Sequence, residues 1–143
     1  MSTDSTAGVP AFPAERPAEP VTVVRTDDVS PLPGRGADLR IVLSPRSGGA
    51  QEGLLVIATI RRGESVTEHY HPYSEERVTV LGGAMELTVG EHRHEIGPDS
   101  SFVIPRGMRH RMTCLGDAPV RAVLTMSPLA PRPEWGHVDT EMT

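Results

Sequence analysis

The strongest constraint on the fold of this chain is a regular succession of short β-like runs, most of them ended by glycine, proline or aspartate. Eight runs follow one another after position 50, at residues 54–60, 66–71, 77–81, 85–89, 93–96, 101–104, 110–114 and 120–125. Short strands separated by turns at this spacing are typical of a β-sandwich or β-barrel. Glycine and proline contribute 14 residues each to the 143, which long helices tolerate poorly. The sequence therefore predicts a single all-β domain.

The two ends of the chain differ in composition from this β-rich region. Residues 1–20 hold four prolines and one large aromatic side chain, Phe12, and we predict a flexible N-terminal tail. The Val-Thr-Val-Val stretch at 21–24 predicts a short edge strand, so the barrel is expected to span residues 21–126. Residues 127–143 are rich in proline again and predict an extended C-terminal strap. We predict no long helix, because apolar residues never recur clearly at every third or fourth position.

Charge and composition exclude several functional classes. A net charge of −5 argues against nucleic-acid binding, because nucleic-acid interfaces are basic. The chain has no apolar run of about 18 residues, so no membrane span is expected. The first residues lack the basic and apolar regions of a signal peptide, which favours a cytoplasmic protein. The absence of lysine excludes Schiff-base catalysis, and the single cysteine, Cys114, excludes an intramolecular disulfide and a multi-cysteine metal site.

Five of the six histidines lie between positions 69 and 110. His69 and His71 are two residues apart in a predicted strand, where residues i and i+2 point to the same face. Their imidazoles are therefore predicted to converge on one point. Imidazole is a common ligand of divalent transition metals, so this pair predicts two nitrogen ligands of a metal site.

A carboxylate and a third imidazole are predicted to face the same interior. Alternation with the valines of the next strand places Glu76 inside and Glu75 outside. A carboxylate on an apolar face costs on the order of several kcal/mol unless a cation or hydrogen bonds compensate it. His110 faces inward if the alternate residue Met112 does, and it is the best further nitrogen ligand. The alternative is that these histidines are ordinary half-buried residues, hydrogen-bonded without a metal.

The remaining histidines and tyrosines are assigned more ordinary positions. His92 and His94 share the His-x-His spacing but are predicted in a solvated hairpin tip. Tyr70 is expected to pack, whereas Tyr73 lies in a turn from which its hydroxyl can line the mouth of the site. His137 is expected either at the surface or as a cap over the cavity of its own or a neighbouring subunit.

The spacing of these residues resembles the two sequence motifs of the cupins. The first motif matches in full, with Gly63, His69, His71, Glu76 and Gly83 at the family spacing. The second motif matches at four positions, which are Gly97, Pro105, Gly107 and His110. Its last position departs from the pattern, because Cys114 stands where cupins carry asparagine. That asparagine is not usually a ligand, so the departure affects the polarity of the pocket more than the metal site.

The cupin resemblance implies a fold and a cofactor. The fold is a double-stranded β-helix, also called a jelly-roll barrel, which is often a homodimer. The cofactor is one divalent metal ion, either Zn, Fe, Mn, Ni or Co, and its ligands are His69, His71, Glu76 and His110.

A narrower resemblance concerns the segments 68–83, 104–111 and 127–141, which are similar to the small single-domain cupin cyclases of aromatic polyketide pathways. This resemblance implies a poly-β-ketone substrate carried on an acyl carrier protein and an aldol-type ring closure. His69, His71, His110 and Tyr73 are then the expected catalytic residues. The general base is left open among a histidine, Glu76 and a metal-bound hydroxide.

Two other functions remain compatible with the same residues. An iron-dependent cupin dioxygenase uses the same four ligands, and a non-catalytic cupin binds a small metabolite without turnover. Three arginines lie close together near the second motif, at positions 106, 109 and 111. They form either a solvated face or a small basic patch for an acidic carrier protein. The native metal, the ketide length and the carbons that are joined are not encoded in any motif.

Overall fold

The computed structural model describes residue 8 and residues 11–141. Ten strands form the fold, and the only helical elements in the described ranges are two 3₁₀ turns, Thr26–Asp28 and Pro133–Trp135. The strands are β1 (Asp38–Leu43), β2 (Leu54–Ile60), β3 (Ser65–Tyr70), β4 (Glu75–Gly82), β5 (Met85–Val89), β6 (His92–Ile96), β7 (Ser100–Ile104), β8 (His110–Cys114), β9 (Val120–Ser127) and β10 (Val138–Asp139). The predicted all-β fold is confirmed. None of the helical segments in the described part of the chain has the length and apolarity to cross a bilayer.

Two five-stranded antiparallel sheets face each other. The first has the strand order β1-β2-β9-β4-β7 and the second the order β10-β3-β8-β5-β6. Alternate side chains of each strand point inward, so β4 buries Glu76, Val78 and Val80 while β8 buries His110 and Met112. The inner faces meet in one apolar core, which is the arrangement that a jelly roll requires.

A bulge in β3 changes which of its residues face the core. The register between β3 and β8 shifts between Val66 and His69, and both Val66 and Thr67 are buried. Strict alternation from Val66 would turn His69 outward, because a shift of one residue moves a side chain to the opposite face. The extra residue at the bulge therefore returns His69 to the interior, opposite His110 of β8.

Gly83, the last glycine of the first motif, follows β4 at a position that strongly favours glycine. Its φ is +77°, and a Cβ atom there would collide with the backbone of Pro119 and Val120. The close approach fixes the turn from β4 to β5 against the start of β9.

Two local predictions are wrong, and each has a physical reason. Residues 21–24 carry an extended pattern but form no strand, because no neighbouring segment in the described structure pairs with them. His92 and His94 are exposed as expected, yet they belong to β6 rather than to the hairpin tip, which Gly90 and Glu91 form. Their side chains lie on the same face as Leu87 and Val89, with which they pair, and are exposed because β6 is the edge strand of its sheet.

The predicted boundaries at 20 and 126 stay predictions. Residues 11–20 are exposed and form no helix or strand, whereas most of the tail before them lies outside the described residues.

The C-terminal strap follows β9 and returns to the second sheet as β10. Val138 and Asp139 pair with Tyr70 and His69 of β3, and the amide of Thr140 donates to the Glu68 carbonyl. Beyond this strand, one carboxylate oxygen of Glu141 accepts hydrogen bonds from the Glu68 amide and the Arg111 guanidinium. The two bonds tie the strap to β3 and β8.

We expect the substitution Glu141→Ala to loosen the end of the strap without unfolding the barrel. The substitution leaves the Glu68 amide unpaired and removes the ion pair with half-buried Arg111, which together cost about 1 kcal/mol of unfolding free energy. Amide hydrogen exchange at Thr140 and Glu68 should accelerate. Glu134→Ala is the matched control, because Glu134 lies in the same strap but is exposed. Equal exchange rates in the two variants would contradict this role of Glu141.

Candidate metal centre

Four polar side chains meet between the two sheets, and each reaches the interior for a local reason. His69 and His110 are direct neighbours in the ladder between β3 and β8. His71 follows the last residue of β3, and Glu76 comes from β4 of the opposite sheet. All four are buried, with exposed fractions of 6% or less. The sequence segments that carry them are distant along the chain, but the sheet packing brings them to one point.

The ligand atoms of these residues lie within 4.8 Å of one another. The Nε2 atoms of His69 and His71 are 3.2 Å apart. One oxygen of Glu76 lies 3.1 Å from His71 Nε2, and the other lies 3.3 Å from His110 Nε2. Three imidazole nitrogens and one carboxylate therefore surround a single point.

The opposite edge of each imidazole is held by a backbone carbonyl. The Nδ1 atom of His69 lies 2.7 Å from the Thr67 oxygen, that of His71 2.8 Å from the Gly136 oxygen, and that of His110 2.9 Å from the Met108 oxygen. A carbonyl only accepts hydrogen bonds, so each Nδ1 must carry the proton. In the neutral rings, every Nε2 then presents its lone pair to the common point.

A metal cation bound between these facing lone pairs would satisfy them together. Neutral His69 and His71 would place two acceptor nitrogens 3.2 Å apart. The His110 Nε2 and Glu76 Oε1 atoms are buried without a hydrogen-bond partner, because their 3.3 Å contact lacks the alignment of a hydrogen bond. Orphaned buried acceptors are costly, and a metal ion satisfies all of them at once. The residues therefore fit a divalent transition metal, whose usual ligands in proteins are imidazole and carboxylate groups.

The pKa shifts of the cluster favour a neutral His69 and an ionised Glu76, whereas they favour the charged form of His71. Burial lowers the pKa of His69 to about 3, and the nearby His110 adds to the effect. Burial also opposes charge on His71, but its hydrogen bond to Glu76 outweighs this and holds the pKa of His71 above the ordinary value. Burial raises the pKa of Glu76, yet its contacts with His110 and His71 prevail and keep it well below the usual range. Glu76 thus remains a carboxylate although it is fully buried.

His137 is the site residue whose position the sequence did not decide. The strap lays its ring on His69, with the two planes 12° apart and their centroids 4.3 Å apart. Its Nε2 atom contacts Asp139 Oδ1 at 2.7 Å, so this nitrogen donates to the carboxylate. His137 therefore lies in the lining of the cavity of its own subunit. The sequence could not predict this position, because it depends on the antiparallel pairing of β10 with β3.

A cavity of about 110 Å³ opens beside the cluster. Most of its lining is apolar and comes from the core strands, including Val56, Val66 and Leu124. It adjoins a wider cavity of about 510 Å³, with which it shares five lining residues, and the strap forms part of the wall of both. The four clustered side chains therefore adjoin a mostly apolar recess, an arrangement found in many small-molecule sites.

The other residues considered from the sequence take separate places. Glu75 is exposed and pairs with Arg77, as its outward assignment required. Tyr73 lies in the turn after His71, 38% exposed and outside the lining of either cavity, so its catalytic role stays a prediction. Cys114 is buried, and its thiol donates to backbone carbonyls. The three arginines do not act as one patch, because Arg111 pairs with Glu141.

Comparison with known proteins agrees with this architecture. The polyketide cyclase RemF from Streptomyces resistomycificus superimposes with a TM-score of 0.66, over 85% of this chain and 87% of RemF. The two sequences are 23% identical, so this likeness shows the common fold.

Sequence comparison identifies the family. Residues 56–126 match the Cupin domain family. SchB from Streptomyces halstedii is 46% identical over 121 residues, which cover 85% of this chain and 88% of SchB. The polyketide synthase protein CurC from Streptomyces cyaneus is 44% identical over 119 residues, which cover 83% of this chain and 77% of CurC. The chain therefore belongs to the cupin family, in which its relatives include SchB and CurC.

Proposed function

We propose that this protein is a metal-dependent cyclase that closes a ring in a poly-β-ketone intermediate by an aldol-type reaction. The observation that carries the proposal is the buried convergence of three Nε2 atoms and one carboxylate at the end of an apolar cavity. The relatives support the pathway class, because CurC is a polyketide synthase protein and RemF is a polyketide cyclase.

The four clustered residues would hold the ion. In an aldol closure, a carbon between two carbonyl groups loses a proton and attacks another carbonyl of the same chain, and loss of water then gives the aromatic ring. A divalent cation bound by His69, His71, Glu76 and His110 would supply Lewis-acid polarisation of a carbonyl oxygen. The three backbone carbonyls that accept the Nδ1 protons orient these ligands and keep the Nε2 lone pairs available.

The rest of the cavity favours an intramolecular reaction. Its apolar walls exclude water, which strengthens the electrostatic interactions inside. A narrow recess also holds two parts of a flexible chain near each other, which lowers the entropic cost of ring closure. The wider adjoining cavity gives the remainder of a longer chain a place along the strap.

Removal of the substrate proton needs a base, and His137 is the cavity imidazole outside the four proposed ligands. Its Nε2 atom donates to Asp139, so the neutral ring has its lone pair on Nδ1. Burial lowers the pKa of His137, although the hydrogen bond to Asp139 opposes this effect. A neutral imidazole near pH 7 is a suitable proton acceptor. We therefore add His137 to the candidates for the general base.

We propose that the substrate is delivered by an acyl carrier protein. The backbone amide of Gly107 donates to the His71 carbonyl, which places the loop of Arg106 and Arg109 beside the site. Both arginines are exposed and supply positive charge for an acidic partner. The homodimer expected from the family resemblance stays a prediction.

Metal content distinguishes the proposed ligands from the exposed histidine pair. We expect His69→Ala to lower the affinity for a divalent metal by about tenfold or more, because it removes one ligand and one support of the geometry. His92→Ala is the matched control, since His92 has the same His-x-His spacing but stands exposed on β6. Elemental analysis of both purified variants measures the difference. Equal metal loss in the two variants would exclude the assignment.

The adjacent carboxylates Glu75 and Glu76 provide a second test of the site. Glu76→Gln keeps the shape of the side chain but removes the charge, so we expect metal binding to weaken by about tenfold. Glu75→Gln makes the same chemical change one position away, on the exposed face, and should bind metal as the wild type does. Metal titration of the two proteins decides the question, and the reverse order would assign the ligand role to Glu75.

The reaction class is tested by turnover without oxygen. We expect the metal-loaded protein to cyclise a carrier-bound poly-β-ketone at the same rate under air and under argon. His110→Ala should react about 100-fold more slowly, which is the usual effect of losing transition-state charge stabilisation. Circular dichroism and thermal unfolding check that this variant remains folded.

The two alternative functions would give different results in this assay. Turnover that stops under argon would indicate the iron-dependent dioxygenase. Unchanged product formation in a folded His110→Ala protein would instead favour a non-catalytic metabolite-binding cupin.

A further inference from the structure

The lining of the inner cavity includes one arginine, Arg35, beside the metal cluster. The other polar residues that line it are His69, His71, Glu76 and His137, and the remainder are apolar except for backbone atoms. Arg35 comes from the loop before β1, outside both cupin motifs, so nothing in the motif pattern singled it out. A permanently charged side chain in the lining of a mostly apolar cavity calls for a physical reason.

The backbone of Arg35 is fixed against β3 on the side that carries His69. Its carbonyl accepts a hydrogen bond from the Thr67 amide at 3.2 Å. The next residue, Gly36, has a φ of +89° and approaches the Ser65 carbonyl so closely that a Cβ atom would collide with it. The loop is therefore docked on the strand, and the start of the Arg35 side chain is defined relative to His69.

The Arg35 guanidinium forms no ion pair among the described residues, in contrast to other half-buried arginines of the protein, although its charge helps to lower the pKa of Asp139. Arg40 pairs with Asp38, Arg77 with Glu75, and Arg111 with Glu141. The positive charge of Arg35 is nevertheless close enough to the site to act on its groups. After burial and the contact with Asp139, it contributes to the lowered pKa of His137.

We propose that Arg35 binds a negatively charged oxygen of an enolised 1,3-dicarbonyl ligand in this cavity. The inference rests on the proposed function and makes it more specific, since it names the group that recognises the substrate. An enolate spreads one negative charge over two neighbouring oxygens, and the planar fork of a guanidinium can donate to two oxygens at once. Arg35 then selects enolised ketide units over neutral apolar chains, while the apolar walls accept the rest of the molecule. A carboxylate offers the same pair of oxygens.

Binding of small probes separates these possibilities without a turnover assay. Isothermal titration at constant pH compares benzoylacetone, which enolises, with its 2,2-dimethyl derivative, which does not, and with benzoate as a carboxylate. The proteins are the wild type and Arg35→Gln, both checked for equal metal content. Arg93→Gln is the matched control, because it makes the same charge change on exposed β6. Arg35→Lys, which keeps the charge but not the planar fork, serves as a second variant.

We expect Arg35→Gln to bind benzoylacetone at least about tenfold more weakly than the wild type, a difference of about 1.4 kcal/mol. The 2,2-dimethyl derivative should bind both proteins equally, Arg93→Gln should behave as the wild type, and Arg35→Lys should bind benzoylacetone better than Arg35→Gln.

Three results would overturn the inference. Equal benzoylacetone affinity in the wild type and Arg35→Gln removes the role of Arg35 but leaves the proposed cyclase intact. A loss confined to benzoate assigns Arg35 to carboxylates instead of enolates. A metal-loaded wild type that binds no 1,3-dicarbonyl contradicts both this inference and the proposed function.

Discussion

Three hydrogen bonds from imidazole Nδ1 atoms to backbone carbonyls determine the chemistry of the site. They fix the proton on the outer nitrogen of His69, His71 and His110, so that three lone pairs point at one another beside the buried Glu76 carboxylate. Such an arrangement is unfavourable by itself, because buried acceptors without donors cost free energy. The barrel supports it through the packed core on either side. The cluster could therefore hold a cation, which would satisfy these buried acceptors.

The sheets supply the precision that this arrangement needs. His69 and His110 are held side by side by a ladder of backbone hydrogen bonds, and the bulge in β3 turns His69 to the inner face. Glu76 reaches the same point from the opposite sheet through the alternation of β4. Ligands on strands vary little in position, because each strand is fixed by two neighbours or by the core. The less regular parts, the turn with His71 and the strap, contact the cluster from its open side.

The sequence predicted most strands and the inward faces of β4 and β8, because alternation of polar and apolar residues is a local property. It did not reveal the bulge in β3, which depends on the pairing of β3 with β8. It also suggested a strand at 21–24, where the β-prone valines find no partner in the described structure. His137 and Arg35 belong to loops that contribute to the cavity only through long-range packing. Spacing can therefore find ligands within a motif, whereas residues of the cavity wall require the tertiary structure.

The strap connects the geometry of the metal cluster with the shape of the cavity. Its Gly136 carbonyl holds His71 in the tautomer that exposes Nε2, while the next residue, His137, covers His69. The same segment forms part of both cavities. Displacement of the strap would therefore open the cavity and release the His71 ring in one movement. The end of the strap is anchored by Glu141, which contacts β3 and β8 and is not among the residues that line the second cavity.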